Sequence, residues 1–144
     1  MKIRDIVFSL LVLGIVLVFY PVRIVGNSMF PTLRNGDLAL CSRFSNIDRF
    51  DVVVVNVDNV KIIKRVIGLP NETIEYKDNK LYINGKQVQD SYNNGYTKDF
   101  KYSLKDNEYF CLGDNRENSK DSREYGGFLR KQIVGEKLCE VTKK

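Results

Sequence analysis

The sequence predicts a mostly β protein whose chain begins with an apolar helix. Residues 6–22 form an apolar run without a charged residue, and several later segments are rich in β-branched residues and separated by turn-forming pairs. No stretch after residue 24 has convincing helical periodicity. The chain has 144 residues, of which 43% are hydrophobic, so it has room for one globular domain with its own core.

The apolar run over residues 6–22 predicts a transmembrane anchor. As a helix it is roughly 25 Å long, at the short end for a bilayer span. Two basic residues precede it, as in a signal peptide, but Phe19–Arg23 contains no small-x-small cleavage site, so a retained anchor is favoured over a removed signal. A buried core helix is the third alternative. The positive-inside rule puts residues 1–5 in the cytoplasm and the domain of residues 23–144 outside it.

Seven later segments are predicted to be strands, because they are rich in apolar and β-branched residues and are bounded by turn formers. They are Leu38–Cys41, Phe50–Val57, Val60–Ile67, Lys80–Ile83, Lys86–Val88, Glu108–Leu112 and Gln132–Val141. The pair Asn84-Gly85, between the fourth and fifth of these, is a strong signal for a two-residue hairpin. The polar segment Gln89–Asn107 is predicted to be a long excursion or a loosely structured insert.

The chain contains no histidine, which excludes several classes of enzyme site. Serine–histidine–aspartate and cysteine–histidine mechanisms need that residue, as do most zinc sites. Any general base must therefore be lysine, a carboxylate, tyrosine or cysteine. The three cysteines, Cys41, Cys111 and Cys139, are widely spaced and form neither a disulfide framework nor a metal-binding pair. Cys41 and Cys111 lie in apolar runs, which favours small buried side chains over reactive thiols.

The net charge of +5 does not identify a partner. Lysine and arginine residues are scattered along the chain and do not form a stripe, and no nucleic-acid-binding motif accompanies them. A solvated basic surface that tolerates anionic lipid is therefore favoured over a nucleic-acid-binding surface.

Lys64 is the one charged residue on an otherwise apolar strand face. Because side chains alternate along a strand, Lys64 shares its face with Val60, Ile62 and Val66. An amine buried there loses water, which lowers its pKa and makes it a competent general base. The alternative is a lysine at a strand edge whose amine reaches solvent. The strand alone does not decide between the two.

Two polar segments supply possible partners for this lysine. Val25–Leu33 places Ser28 on a turn that begins with glycine, where its hydroxyl and its own N–H can point to one place. Gly113–Gly126 is a dense polar loop directly after an apolar strand. Taken singly, the first is equally an ordinary loop and the second a solvated turn rich in Asx hydrogen bonds.

In this order, the segments resemble the type I signal peptidase family in its short bacterial form. The resemblance runs from the apolar run to about Gly135. It rests on four motifs at family-like spacing: Ser-Met-x-Pro-Thr-Leu from Ser28, the following Gly-Asp at residues 36–37, Lys-Arg-Val-x-Gly-x-Pro from Lys64, and Gly-Asp-Asn-Arg followed by Ser-x-Asp-Ser-Arg from Gly113. Any one of these is weak, but four in register are very specific.

The resemblance implies a serine endopeptidase with Ser28 as nucleophile and Lys64 as general base. Gly26 and Met29 would line the substrate cleft. The family fold is two antiparallel β-sheet lobes, and the second lobe, reduced in the short form, would occupy residues 69–107. The implied activity is removal of signal peptides from exported preproteins, after a small residue with another small residue two positions earlier. No metal or organic cofactor is required, and the protein is expected to be a monomer in the cell membrane.

The resemblance also implies supporting roles in the loop after Gly113. Ser119 would hydrogen-bond the base lysine. Asp121 and Arg123 would brace the site as a pair, with Arg123 neutralising the carboxylate. Asp114 and Arg116 would hold the same loop.

Two other functions are compatible with parts of the pattern. A self-cleaving repressor-type peptidase uses a similar dyad and a related fold, but it would carry a DNA-binding domain where this chain has its apolar run. A membrane-tethered non-catalytic β-domain, or an inactive paralogue, needs no intact site. The set of Ser28, Lys64, Ser119 and Asp121 argues against that alternative, and cleavage of a peptide containing Ala-x-Ala would distinguish them.

Overall fold

A computed structural model describes residues 2–140, which form a helix followed by antiparallel sheets. The helices are α1 (Ile3–Val18) and the single turn α2 (Ser122–Tyr125). The strands are β1 (Phe19–Arg23), β2 (Leu38–Ser42), β3 (Val52–Val57), β4 (Val60–Gly68), β5 (Thr73–Lys77), β6 (Lys80–Ile83), β7 (Lys86–Val88), β8 (Phe100–Ser103), β9 (Glu108–Leu112), β10 (Phe128–Leu129), β11 (Ile133–Gly135) and β12 (Lys137–Glu140).

The apolar run does not form one helix, so the observed helix and the predicted anchor of residues 6–22 have different bounds. α1 begins at Ile3 and ends at Val18, and the next five residues pair with β2 as β1. Pro21 cannot donate a backbone hydrogen bond inside a helix, and its neighbours Tyr20 and Val22 pack against the core. Among residues 2–140, no helix is both long enough and apolar enough to cross a membrane.

The strands form three sheets, which confirms the prediction of a mostly β fold with antiparallel pairing. The orders are β1-β2-β12, β10-β9-β4-β3-β11 and β7-β6-β5-β8. The first two sheets share a core in which Ala39 and Cys41 of β2 meet Val52 and Val54 of β3. The strand predicted over Gln132–Val141 is two short strands, and Val141 lies outside the described residues.

The central strand β4 has a core on each face. Ile63 packs with the core shared with β2, whereas Ile62 and Val66 face the opposite core, which contains Val53 and Cys111. Lys64 is paired with Val53 across the β3–β4 ladder and therefore emerges from this second core. The middle of the strand thus places a lysine side chain on a face that is otherwise packed with apolar residues.

The third sheet lies between residues 73 and 103 and contains two strands that were not predicted. The hairpin at Asn84-Gly85 has the positive backbone φ angles of 49° and 79° that its turn type needs. β5 was missed although Ile74 and Tyr76 alternate with polar residues, which is a strand pattern, and β8 was missed because it lies in the polar segment Gln89–Asn107. Phe100 and Tyr102 of β8 pack on Phe110, so that segment is not loosely structured.

Candidate active site

Ser28 and Lys64 lie together beside the middle of β4, at the point where its pairing with β9 stops. Lys64 Nζ is 2.9 Å from Ser28 Oγ, and it also donates a hydrogen bond of 2.9 Å to the carbonyl oxygen of Ile63. Lys64 is only 3% exposed, so the predicted burial is correct and the strand-edge alternative is wrong. Its strand face is less buried than the alternation suggested, because Val60 is 62% exposed at the start of β4.

Burial sets the proton affinity of the lysine. Loss of water around the amine lowers the pKa of Lys64 below that of an exposed lysine. The carboxylate of Asp121 is the largest opposing influence and Asp114 adds to it, while Arg123 acts in the same direction as burial. At a given pH the neutral amine, which is the form that can accept a proton, is therefore more populated than in an exposed lysine.

The turn that carries Ser28 is held by its own backbone and by the loop after β9. Gly26 has a φ of 90°, which glycine adopts without strain, and its N–H donates to Asn35 Oδ1 at 3.0 Å. Asn115 N–H donates to the Ser28 carbonyl at 3.0 Å. Met29 is buried in the core just beneath. Within residues 2–140 the Ser28 N–H itself makes no hydrogen bond, so it is available to an oxyanion.

Asp121 and Arg123 form the ion pair expected from the sequence. Arg123 Nε and Nη2 each lie 2.8 Å from the carboxylate, which is a bidentate arrangement. The carboxylate also accepts the Gly113 N–H at 3.0 Å and caps α2 through the Arg123 N–H. Asp121 therefore joins the two ends of the loop of residues 113–121, and its negative charge is compensated by the Arg123 guanidinium.

Asp114 and Arg116 are two buried charged residues of the loop, and each makes polar contacts inside the protein. The Asp114 carboxylate is fully buried and binds Arg65 Nε at 2.8 Å and Nη2 at 2.7 Å. It also accepts a hydrogen bond from Thr32, three residues beyond Met29. Arg116 is 2% exposed and donates to the Gly113 carbonyl at 2.9 Å. Both residues hold the loop, as expected, but the Arg65 partner was not predicted.

The hydrogen bond predicted between Ser119 and Lys64 is absent. Ser119 Oγ is buried and has no hydrogen-bond partner among the described residues. Instead it packs against the backbone of Gly113, where an added Cβ would lie 2.1 Å from Ser119 Oγ and 2.6 Å from the Ser28 carbonyl oxygen. Gly113 is therefore required for this close approach, and the sequence motif alone did not reveal which atoms it brings together.

An open cleft of about 570 Å³ ends at the serine and lysine. One wall is formed by residues 20–26, including Gly26, and the other by residues 60–64 of β4. Met29 contributes to the lining although it is only 2% exposed. The cleft thus contains both residues that the sequence assigned to substrate contact.

The cysteines and carboxylates do not suggest another chemistry. Cys41 and Cys111 are fully buried, as predicted, and burial raises the pKa of the Cys111 thiol, which keeps it protonated. No disulfide joins cysteines in the described part of the chain. Over the same residues, no group of three or more cysteine, aspartate or glutamate side chains could hold a metal ion.

Comparison with known proteins points to one family. The family model described as "Signal peptidase, peptidase S26" matches residues 2–141. Signal peptidase I S of Bacillus subtilis (strain 168) is 42% identical over 136 residues, covering 82% of this chain and 74% of that protein. Signal peptidase I V of the same organism is 43% identical over 141 residues, covering 82% of this chain and 83% of that protein.

A solved structure gives the same result. The crystal structure of a signal peptidase I from Enterococcus faecalis V583 superposes with a TM-score of 0.59 at 33% sequence identity. The match covers 68% of this chain and 98% of the solved chain. About two thirds of this chain therefore shares its fold with a protein of related sequence.

Proposed function

The chain belongs to the signal peptidase family, peptidase S26, and we propose that Ser28 and Lys64 form its catalytic dyad. Its activity is that of a signal peptidase I, a serine endopeptidase. The observation that carries the dyad assignment is the distance of 2.9 Å between Lys64 Nζ and Ser28 Oγ, with the amine buried and no histidine in the chain.

The chemistry follows from this geometry. The neutral Lys64 amine takes the proton of Ser28 as Oγ attacks the carbonyl carbon of the scissile peptide bond. The Ser28 N–H stabilises the oxyanion that forms. The ammonium then gives its proton to the departing amine, and the lysine activates a water that hydrolyses the acyl-enzyme ester. The Ile63 carbonyl, which accepts a hydrogen bond from Nζ, keeps the amine oriented throughout. Each proton moves between Ser28, Lys64, the departing amine and water, so this chemistry requires no metal or organic cofactor.

The cleft suits an extended substrate. β9 pairs with β4 only from Arg65 onwards, so residues 60–63 have β3 on one side and the cleft on the other. A peptide lying along this edge as a strand would direct alternate side chains towards the floor of the cleft. Two small residues separated by one other residue fit such a register. We assign the small-x-small end of a preprotein signal peptide to this position.

The substrate assignment predicts a sharp size dependence. A peptide containing Ala-x-Ala should be cleaved after the second alanine by detergent-solubilised protein. Replacement of that alanine by phenylalanine should lower kcat/KM by about 10²-fold, because the larger side chain meets the wall of the cleft. Mass spectrometry of the products locates the cut. Equal cleavage of both peptides would contradict the assignment.

We assign the membrane contact to α1. None of its side chains is buried, although most of them are apolar, so the protein itself does not cover this surface. A 16-residue helix is about 24 Å long, and a segment shorter than the hydrocarbon core is accommodated by bilayer thinning and by basic residues that reach the headgroups. The basic N-terminus would then lie in the cytoplasm and the peptidase domain outside, as a monomer that contains its whole site.

This topology predicts where an added protease can act. Protease added to intact spheroplasts should digest the domain after Arg23 and leave a tag on the N-terminus protected. Lysis of the spheroplasts before digestion, the matched control, should expose the tag as well. A peptidase domain that is protected until lysis would reverse the orientation.

A further inference from the structure

The segment of residues 90–97 connects three parts of the active site that are distant in sequence; we call it the strap. It follows β7 and precedes β8. Asn94 N–H donates to the Asp114 carbonyl, and Arg116 N–H donates to the Asn94 carbonyl, each at 2.9 Å. The Asn94 amide group also donates to the Phe30 carbonyl at 3.2 Å. One strap residue thus contacts both the loop of residues 113–121 and the segment after Ser28.

Tyr92 of the strap covers the residue next to the base. Its ring lies over the Arg65 guanidinium, with 3.6 Å between the guanidinium carbon and the ring centre. Arg65 is 3% exposed and is bound on its other sides by Asp114 and by the Phe50 carbonyl. Arg65 and Lys64 are neighbours on β4. A ring packed on Arg65 therefore restrains the backbone of β4 next to Lys64. Such stacking is favourable, and more so when the cation is desolvated.

Asp90, at the start of the strap, forms an ion pair with Arg116 of the loop. Its carboxylate lies 2.6 Å from Arg116 Nη2, and both side chains are almost fully buried. Tyr76 of β5 donates to the same carboxylate and lies 2.7 Å from Arg116 Nη1. Arg116 also donates a hydrogen bond to the Gly113 carbonyl. The Asp90 carboxylate is therefore linked through the Arg116 side chain to the start of the loop. A buried guanidinium without this carboxylate would be left uncompensated.

We propose that Asp90, Tyr92 and Asn94 are positioning residues, which hold the loop of residues 113–121 and the Lys64 strand against the dyad. The inference rests on the proposed function of Ser28 and Lys64. None of the three residues touches the reacting atoms. They act through Arg65, Asp114 and Arg116. The polar side chains that made this segment resemble a loosely structured insert are the ones that form these contacts.

A loosened loop would change the surroundings of Lys64. The charged and titratable groups that face the lysine are Asp121, Asp114 and Arg123 of the loop and Cys111 of β9. Burial is the main cause of its lowered pKa, so a loop that moves away and admits water should raise that pKa. The acidic limb of kcat/KM would then move to higher pH. A variant that merely folds less well would lose amplitude without moving the limb.

The test compares four single variants of the full chain in detergent. Tyr92→Leu and Asp90→Ala should lower kcat at neutral pH by about tenfold, with KM within about twofold of wild type. Both should move the acidic limb upwards by about half a pH unit or more. Tyr92→Phe keeps the stacked ring and should behave as wild type. Tyr82→Leu, at a half-buried tyrosine of β6 outside both the strap and the loop, is the matched control.

The outcomes separate the inference from the function on which it rests. Unchanged limbs in Tyr92→Leu and Asp90→Ala would overturn the positioning role, whatever their amplitudes. Should Asp90→Ala fail to fold, Tyr92→Leu decides, since it removes no buried charge. If Ser28→Ala instead kept wild-type activity, the dyad itself would be overturned. The strap residues could then not act by positioning that dyad.

Discussion

A Ser28→Ala variant is expected to lose about 10⁴–10⁶-fold in kcat, with the fold unchanged. The side chain is half-buried at the surface of the cleft, and alanine removes only the oxygen that lies 2.9 Å from Lys64 Nζ. Without that oxygen no acyl-enzyme can form. Lys64→Ala should lose a similar factor, because the serine is a weak nucleophile without its base. Since the two act as a unit, the double variant should be little worse than either single variant.

The measurement is single-turnover cleavage of the Ala-x-Ala peptide by each variant. Substrate binding should persist, because the walls of the cleft are untouched. Thr32→Ala is not a suitable control, since Thr32 binds Asp114. Ser45→Ala is better, because its hydroxyl contacts Ser42, away from the cleft. Near-normal turnover in Ser28→Ala would remove the basis for the dyad.

Asp114→Ala is expected to lower the free energy of unfolding by about 3–5 kcal/mol. The change leaves the Arg65 guanidinium buried, with the Phe50 carbonyl and the Tyr92 ring but no counter-ion. Removal of one partner from a buried ion pair destabilises a protein far more than removal of an exposed pair, because the remaining charge stays buried without a counter-ion. Urea unfolding of the detergent-solubilised protein gives the value.

The matched control for Asp114 is Glu75→Ala. Glu75 and Lys101 are 3.9 Å apart, and the lysine side chain is 65% exposed. Removal of this pair should change the free energy of unfolding by about 1 kcal/mol or less. An Asp114→Ala variant as stable as Glu75→Ala would mean that the buried pair does not hold the loop.

The sequence predicted the parts of the fold that depend on local pattern. The hairpin at Asn84-Gly85 could be read because left-handed backbone angles favour those residues. Alternation along β4 placed Lys64 on an apolar face but left its burial open, and it did not reveal that Val60, at the start of the strand, is exposed. The mostly β architecture followed from β-branched runs between turn formers.

The parts that were missed depend on tertiary contacts. β1 was hidden in the apolar run because its pairing with β2 cannot be seen from hydropathy. The strap looked unstructured because its stability comes from a few polar contacts, such as Asp90 with Arg116, and not from an apolar pattern. The direction of the Ser119 hydroxyl is likewise set by its packing on Gly113, which no motif records.

The most direct test of the dyad is the pH dependence of kcat/KM for wild type and for Lys64→Arg. In wild type the rate should rise with pH as Lys64 loses its proton, because only the neutral amine can take the proton of Ser28. Since burial lowers the pKa of Lys64, this rise should be centred below the ~10.4 of an exposed lysine. Lys64→Arg keeps the charge but cannot deprotonate in this range, so it should be inactive at every pH. An acidic limb near pH ~4–5 that survives in Lys64→Arg would show that a carboxylate is the base and would contradict the dyad.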